Sequence, residues 1–279
     1  MLVPNGAANS CLRWADMILP PDRNAGYFLA SSDRHGTFES PVTAQMHHEP
    51  VIDQQANAGT WVVVAVYNEV NTVAGVLTEL RQAFPNVVAV DDGSQDGSWE
   101  HLSAIAPYAL RHVVNRGQGA ALQTGTEFAL KMGAIRVAHF DADGQHRVED
   151  LVRMVAAVAR GECDVALGDR FRGQSNLPAS RAALIRGAAF MHRFTSGIML
   201  SDVHNGLRVL TRQAALKCEI TADRMAHASQ FIDLVASSRL RVRQYPTSIR
   251  YTEYSMAKGQ RATESFRILF HYVIARIFG

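Results

Sequence analysis

The sequence predicts an α/β domain, a mostly parallel sheet flanked by helices, with an amphipathic helix at its C-terminus. Apolar runs of strand length recur at Trp61–Val66, Val87–Val90 and Ala134–Ala138. Runs without alternation belong to strands buried on both faces, as in a parallel sheet. Helical spacing separates them, and each run ends on polar residues, as strand–helix–strand units require. At 279 residues and 47% hydrophobic content, the chain is large enough for one sizeable core.

Residues 1–57 are rich in Pro, Asn, Gly, His and Ser, and predict a loosely ordered extension. Translation starting at Met46 is an alternative suited to this composition. The catalytic domain is expected over 58–262. Its first strand, Trp61–Val66, ends on Tyr67-Asn68-Glu69. Apolar residues at 73, 76, 77, 80 and 84 then mark a helix. The second strand ends on Asp91-Asp92-Gly93-Ser94, where Gly permits a tight turn and Asp supplies acceptors. A third strand is expected over Leu110–Val114. Asn115-Arg116-Gly117-Gln118-Gly119 then opens a helix from about 120 to 132. Such a turn is an anion site in principle, with Arg116 adding positive charge, although it is neither a Walker loop nor a full dinucleotide fingerprint.

The strand before His139-Phe140-Asp141-Ala142-Asp143-Gly144-Gln145-His146 is the chemical centre of the chain. Carboxylates two apart on an extended segment point the same way. With the Gln145 amide they form an oxygen-only set suited to Mg²⁺ or Mn²⁺. A cation with few protein ligands keeps positions open for a diphosphate. An Asp/Gly turn with no ligand is the competing reading. A helix at 148–159, a strand at 164–168, helices at 180–197 and 225–237, and a strand at 242–251 complete the domain. The final segment, 263–279, is apolar but interrupted by Arg267, His271 and Arg276, and suits a membrane interface or a partner helix.

Several partner classes lose support. A net charge of +2 without charge runs gives no reason to expect nucleic acid. Three scattered cysteines fit a reduced, cytoplasmic protein. No leader pattern and no run of ~20 apolar residues is visible, so a soluble or membrane-surface protein is expected.

In order, Tyr67-Asn68-Glu69, Asp91-Asp92-Gly93-Ser94, Asn115-Arg116-Gly117, Asp141 to His146, Gly168-Asp169-Arg170-Phe171, Asp202 with Gly206-Leu207-Arg208, and Tyr254-Ser255 with Lys258-Gly259-Gln260 resemble the family 2 glycosyltransferases. The closer likeness is to dolichyl- and polyprenyl-phosphate sugar synthases, over roughly 60 to 262. This resemblance implies a GT-A fold with a mixed, mostly parallel sheet, a UDP- or GDP-linked sugar donor, a divalent cation and inversion at the anomeric carbon. By it, Tyr67, Asn68, Glu69, Asp91, Asp92, Arg116, Gly117 and Asp141 would meet the donor. Asp141, Asp143 and Gln145 would hold the metal, and Arg170, Arg208 and Lys258 would face phosphates. Larger synthases of this type continue into transmembrane helices that this sequence does not display. Gln230 stands where a Glu is frequent, and the Gln-x-x-Arg-Trp signature of processive members is missing.

The acceptor decides what else is needed. A polyprenyl phosphate is already anionic, its second pKa being about 6, so positioning by Arg and Lys suffices. A glycan hydroxyl needs a general base, for which Asp202 is the candidate. The structural alternatives are an Asp202–Arg208 salt bridge, an Asp169–Arg170 pair and a solvated Lys258. A catalytically silent nucleotide-sugar-binding protein is the alternative function, and a nucleotidyltransferase is disfavoured by the 255–260 segment.

Overall fold

The computed structural model describes residues 54–173, 186–187, 198–203, 205–221 and 226–250. The chain divides into two units, Met1–His47 and His48–Gly279, and every described residue belongs to the second. Residues 1–53 of the expected extension, the helix at 180–197 apart from 186–187, Lys258 and the C-terminal helix lie outside the described residues, while 54–57, expected to be loosely ordered, belong to a short helix that buries Ala56 and Asn57.

After a short helix α1 (Gln54–Ala58) come β1 (Thr60–Val66), α2 (Val73–Ala83), β2 (Asn86–Asp91), α3 (Ser98–Ile105) and β3 (Tyr108–Arg111). Then follow α4 (Gln118–Lys131), β4 (Arg136–Asp141), α5 (Val148–Ala159) and β5 (Val165–Asp169). The last described elements are β6 (Arg208–Thr211), α6 (Arg212–Lys217), α7 (Ala226–Ser237) and β7 (Val242–Pro246). Strand order is β3-β2-β1-β4-β6-β5-β7. Only β6 runs against its neighbours β4 and β5, so the sheet is mixed and mostly parallel as expected.

Strand β1 shows why no alternation was visible in the sequence. Val62, Val64 and Val66 enter one core with Leu77, Leu80 and Phe84 of the α2 segment and Leu151 of α5. Trp61 and Val63 enter the other, with Leu122 of α4 and Phe231 of α7. Each such fully buried side chain contributes ~1.5–3 kcal/mol. On the second face α4 lies close to the sheet: a Cβ at Gly125 would fall 2.3 Å from Val63 Cγ1.

Three expectations need correction. The third strand is Tyr108–Arg111, not Leu110–Val114: Val113 and Val114 are 98% and 64% exposed, because the chain there turns to bring Arg116 and Gly117 to Asp92. The last strand stops at Pro246, and Thr247 N–H then donates to Asp169 O at 3.0 Å. Strand β6 was not foreseen. It is only four residues long and its first member is a charged Arg, which hides its apolar pattern.

Candidate active site

The C-terminal edge of β1, β2 and β4 opens onto a cleft of about 420 Å³. Its walls include Tyr67, Glu69, Asp92, Gly117, Asp141 and Asp143 of the predicted residues, together with Asn115 and Gln118. A ligand site at this edge of an open α/β sheet is the general expectation.

Asp92 follows β2 and organises the loop opposite. Arg116 N–H donates to its Oδ1 at 2.9 Å, Gly117 N–H to its Oδ2 at 2.7 Å, and His112 Nδ1 lies 2.7 Å from Oδ1. These bonds fix the turn from which α4 departs, so the helix N-terminus faces the cleft. On the other side Asn68 takes a left-handed φ of 53°. Its N–H donates to Ser94 Oγ at 3.0 Å and its Oδ1 accepts from Gln95 N–H at 3.0 Å. Glu69 N–H donates to Ser98 Oγ at 2.8 Å. Tyr67, 45% exposed, remains at the rim.

Asp141 ends β4, whereas Asp143 sits in the turn that follows, so a turn and not strand alternation brings both to the cleft. Gln118 Nε2 donates to Asp141 Oδ1 at 2.8 Å, and His146 Nε2 lies 3.2 Å from Oδ2. Burial pushes the Asp141 carboxyl upward, but the His146 hydrogen bond and charge, with the Arg208 charge, outweigh it and leave it below the usual range. Asp143 is pushed up to about 6 by burial and by the neighbouring Asp141 charge. The Asp141 charge opposes ionisation of Asp143 in the same cleft, and a hard cation between two such carboxylates would relieve that repulsion, so these residues fit the expected metal. Gln145 is outside the cleft lining; its N–H donates to Asp143 Oδ1 at 3.0 Å and its carbonyl accepts from Arg250.

The second half of the site lies at the ends of β5 and β6. Asp202 Oδ2 accepts from Arg170 Nε at 2.6 Å, from Arg170 N–H at 3.2 Å and from Asn205 Nδ2 at 3.2 Å. Its other oxygen, Oδ1, is buried without a partner among the described residues. The loop then passes against the Asp-x-Asp strand so closely that a Cβ at Gly206 would lie 1.9 Å from Asp141 Oδ2.

The expected roles separate accordingly. Asp202 pairs with Arg170 and not with Arg208; Asp169 takes Ser201 Oγ, Phe171 N–H and Arg172 instead of Arg170. Arg208, expected to face phosphates, is buried: its Nε donates to Asn205 O and its guanidinium lies 4.4 Å over the Phe231 ring. Burial brings it down to about 10, against the opposing pull of Asp141. Asp91 turns away from the cleft, pairing with Arg111 and accepting from Ser94 N–H. Arg116 reaches the site through its backbone, and its side chain is exposed. Sequence reasoning gave no role to Gln118 or His146, although each stood inside a quoted motif. Its place in the turn that opens a helix at the ligand edge of the sheet was the signal for Gln118, although the helix starts at Gln118 itself and not near 120.

The profile of Glycosyl transferase family 2 matches residues 61–218, more than half of the chain. The chain belongs to this family. Within it, 240 aligned residues are 25% identical to a UDP-N-acetylglucosamine–dolichyl-phosphate N-acetylglucosaminyltransferase of Methanococcus voltae, covering 78% of this chain and 96% of the relative. A polyprenol monophosphomannose synthase of Mycolicibacterium smegmatis is 32% identical over 175 residues, covering 58% of this chain and 65% of the relative. The protein is therefore a glycosyltransferase of family 2. Among solved structures, a glucosyl-3-phosphoglycerate synthase from Mycobacterium tuberculosis, in complex with Mn²⁺, UDP and glucosyl-3-phosphoglycerate, superposes with a TM-score of 0.57 at 15% identity. The match covers 81% of this chain and 82% of that one, and identifies the shared GT-A fold. Among the described residues no helix is long and apolar enough to cross a membrane.

Proposed function

We propose that this glycosyltransferase moves a sugar, with inversion and with a divalent cation, from a UDP- or GDP-linked donor to a polyprenyl phosphate at a membrane surface. The observation that carries this reading is the pairing of Arg170 with Asp202, four residues before the Gly206 that abuts Asp141. A hydroxyl acceptor needs a base in reach. Here one carboxylate oxygen of Asp202 already takes three donors and the other is sealed from solvent. A phosphate acceptor needs no base, only a cation in place, and Arg170 held by Asp202 meets that need.

Asp141 and Asp143 would hold the metal, whose charge stabilises the departing diphosphate. Gln118 and His146 fix the Asp141 carboxylate, and the N–H groups opening α4 favour the donor's anionic end. Tyr67, Glu69 and Asp92 bound the space left for the nucleoside. The relatives act, by their names, on dolichyl and polyprenol phosphates, and the solved neighbour holds Mn²⁺ and UDP, which supports the reading.

Labelled UDP- and GDP-sugars offered with undecaprenyl phosphate and Mn²⁺ should deliver label to the lipid phase, with α- and β-linked products separated by NMR. Asp143→Asn should abolish transfer. Label found on an oligosaccharide and never in lipid would defeat the acceptor assignment, and full function in Asp143→Asn would favour a silent binding protein.

A further inference from the structure

Behind Asp202 lie two side-chain amides with every polar group in use. Asn205 Nδ2 donates to Asp202 Oδ2 at 3.2 Å and is 3.1 Å from Thr247 Oγ1, while Asn205 Oδ1 accepts from Leu207 N–H at 3.0 Å. Gln244, on β7, accepts at Oε1 from Ser201 N–H at 2.9 Å, and Ser201 Oγ, which donates to Asp169, lies 3.0 Å from the same oxygen. Its Nε2 donates to Asp202 O at 3.2 Å. Gln244 therefore anchors the Asp202 backbone to the sheet, and Asn205 anchors its carboxylate. Gly168 leaves the space for this: a Cβ there would lie 2.8–2.9 Å from the Asn205 amide.

We infer that Asn205 and Gln244 are positioning residues for the acceptor-side cation, acting on Arg170 through Asp202. The chemistry favours amides here. A carboxylate at 205 would oppose the buried Asp202, and an ammonium would compete with Arg170 for the same oxygen. A neutral donor strengthens the acceptor without displacing its cation, and a buried ion pair keeps its geometry only when its remaining groups are hydrogen-bonded. The segment carrying Asn205 abuts Asp141 through Gly206, and Gln244 ties Asp202 to β7, so the cation's setting is referred to the metal carboxylate as well as to the sheet. This rests on the proposed transfer to a polyprenyl phosphate, and gives Arg170 its place in it.

The experiment uses the full chain and two readouts. The Arg170 Nε–H signal, assigned by its loss in Arg170→Lys, should exchange slowly in the native protein, and about tenfold faster or more in Asn205→Ala and Gln244→Ala. In transfer assays with undecaprenyl phosphate both variants should raise the acceptor KM by about tenfold or more, with donor KM and Mn²⁺ affinity unchanged. Gln244→Glu, which keeps the acceptor for Ser201 and loses the donor to Asp202, should fall between. Gln244 is half-buried on a strand at the sheet's edge among the described residues, so its variants test the idea even where Asn205→Ala unfolds. An unchanged Nε–H signal in Gln244→Ala, or donor and acceptor KM rising together, overturns the inference. Variants that show the Nε–H effect while the native protein transfers nothing to lipid overturn the proposed acceptor and leave the positioning role standing.

Discussion

Replacing Gly206 with Ala is the sharpest test of how the two halves of the site meet. The added Cβ would lie 1.9, 2.4 and 2.6 Å from Oδ2, Cγ and Oδ1 of Asp141, where real Cβ contacts essentially never fall below 3.0 Å. Loop or carboxylate must therefore move by at least 1.1 Å. If the carboxylate moves, it leaves Gln118 Nε2 and His146 Nε2, the two groups that orient it. A misplacement of about 1 Å in catalytic geometry costs roughly 10²-fold, or about 2.7 kcal/mol of transition-state stabilisation. We expect kcat/KM for the nucleotide-sugar to fall by about that factor. Mn²⁺ affinity, read by calorimetry, should weaken alongside it. The midpoint of thermal unfolding should change little, since Gly206 sits in a loop and not in either core. Transfer retained within about threefold of native would refute the claim that this approach fixes Asp141.

Protons should compete with metal at Asp143. With its carboxyl at about 6, apparent Mn²⁺ affinity measured by calorimetry should be near its full value at pH 7 and about tenfold weaker at pH 5. His139 carries a stability signature of opposite origin. Burial, then the Arg208 and His227 charges, hold it down at about 3, so the folded chain keeps it neutral while the unfolded chain takes up a proton below about 6.5. Stability from this group is complete above about 6.5 and is lost toward 3, at ~1.4 kcal/mol per pH unit, in urea titrations. Gly125→Ala should destabilise by ~1–3 kcal/mol, seen as an unfolding midpoint lower by ~2–4 °C per kcal/mol, because the new methyl meets Val63 on the sheet.

The parallel half of the fold was legible because burial on both faces writes itself into sequence as unbroken Val and Ala runs: β1 and β2 appeared within a residue of their ends, and β4 was found but lies two to three residues further along than its apolar run, because Ala134 and Ile135 precede it and His139 to Asp141 extend it. Helix α5 was legible for the opposite reason, its buried residues recurring on one face. Strand β6 was not, since a four-residue strand headed by a buried Arg has no pattern to read, and its pairing spans far more of the chain than a local motif can report. At the site, residue types predicted chemistry but not direction. Asp91 and Asp92 are adjacent and chemically identical, yet the pleat sends one inward to Arg111 and the other to the cleft wall. Arg208 carried the right charge for phosphate, but its place at the start of β6 sets it under α7 against Phe231. The partner of Asp202 was equally invisible, because Arg170 reaches it from another strand end.

The antiparallel strand explains why a site of this kind needs a mixed sheet. A strand running parallel to β4 would begin at the opposite edge, far from Asp141, and could deliver only its C-terminal loop to the cleft. By running backwards, β6 starts at the cleft edge, so Gly206, just before it, is placed against Asp141 and not on the far side. Asp141 is thereby touched from both sides, with Gln118 of the parallel half on one oxygen and His146 and the Gly206 backbone crowding the other. A carboxylate held in this way has little freedom to follow either substrate alone. Donor-side occupancy and the setting of Arg170 would then be read by the same element, which suits the displacement between two anionic partners proposed above.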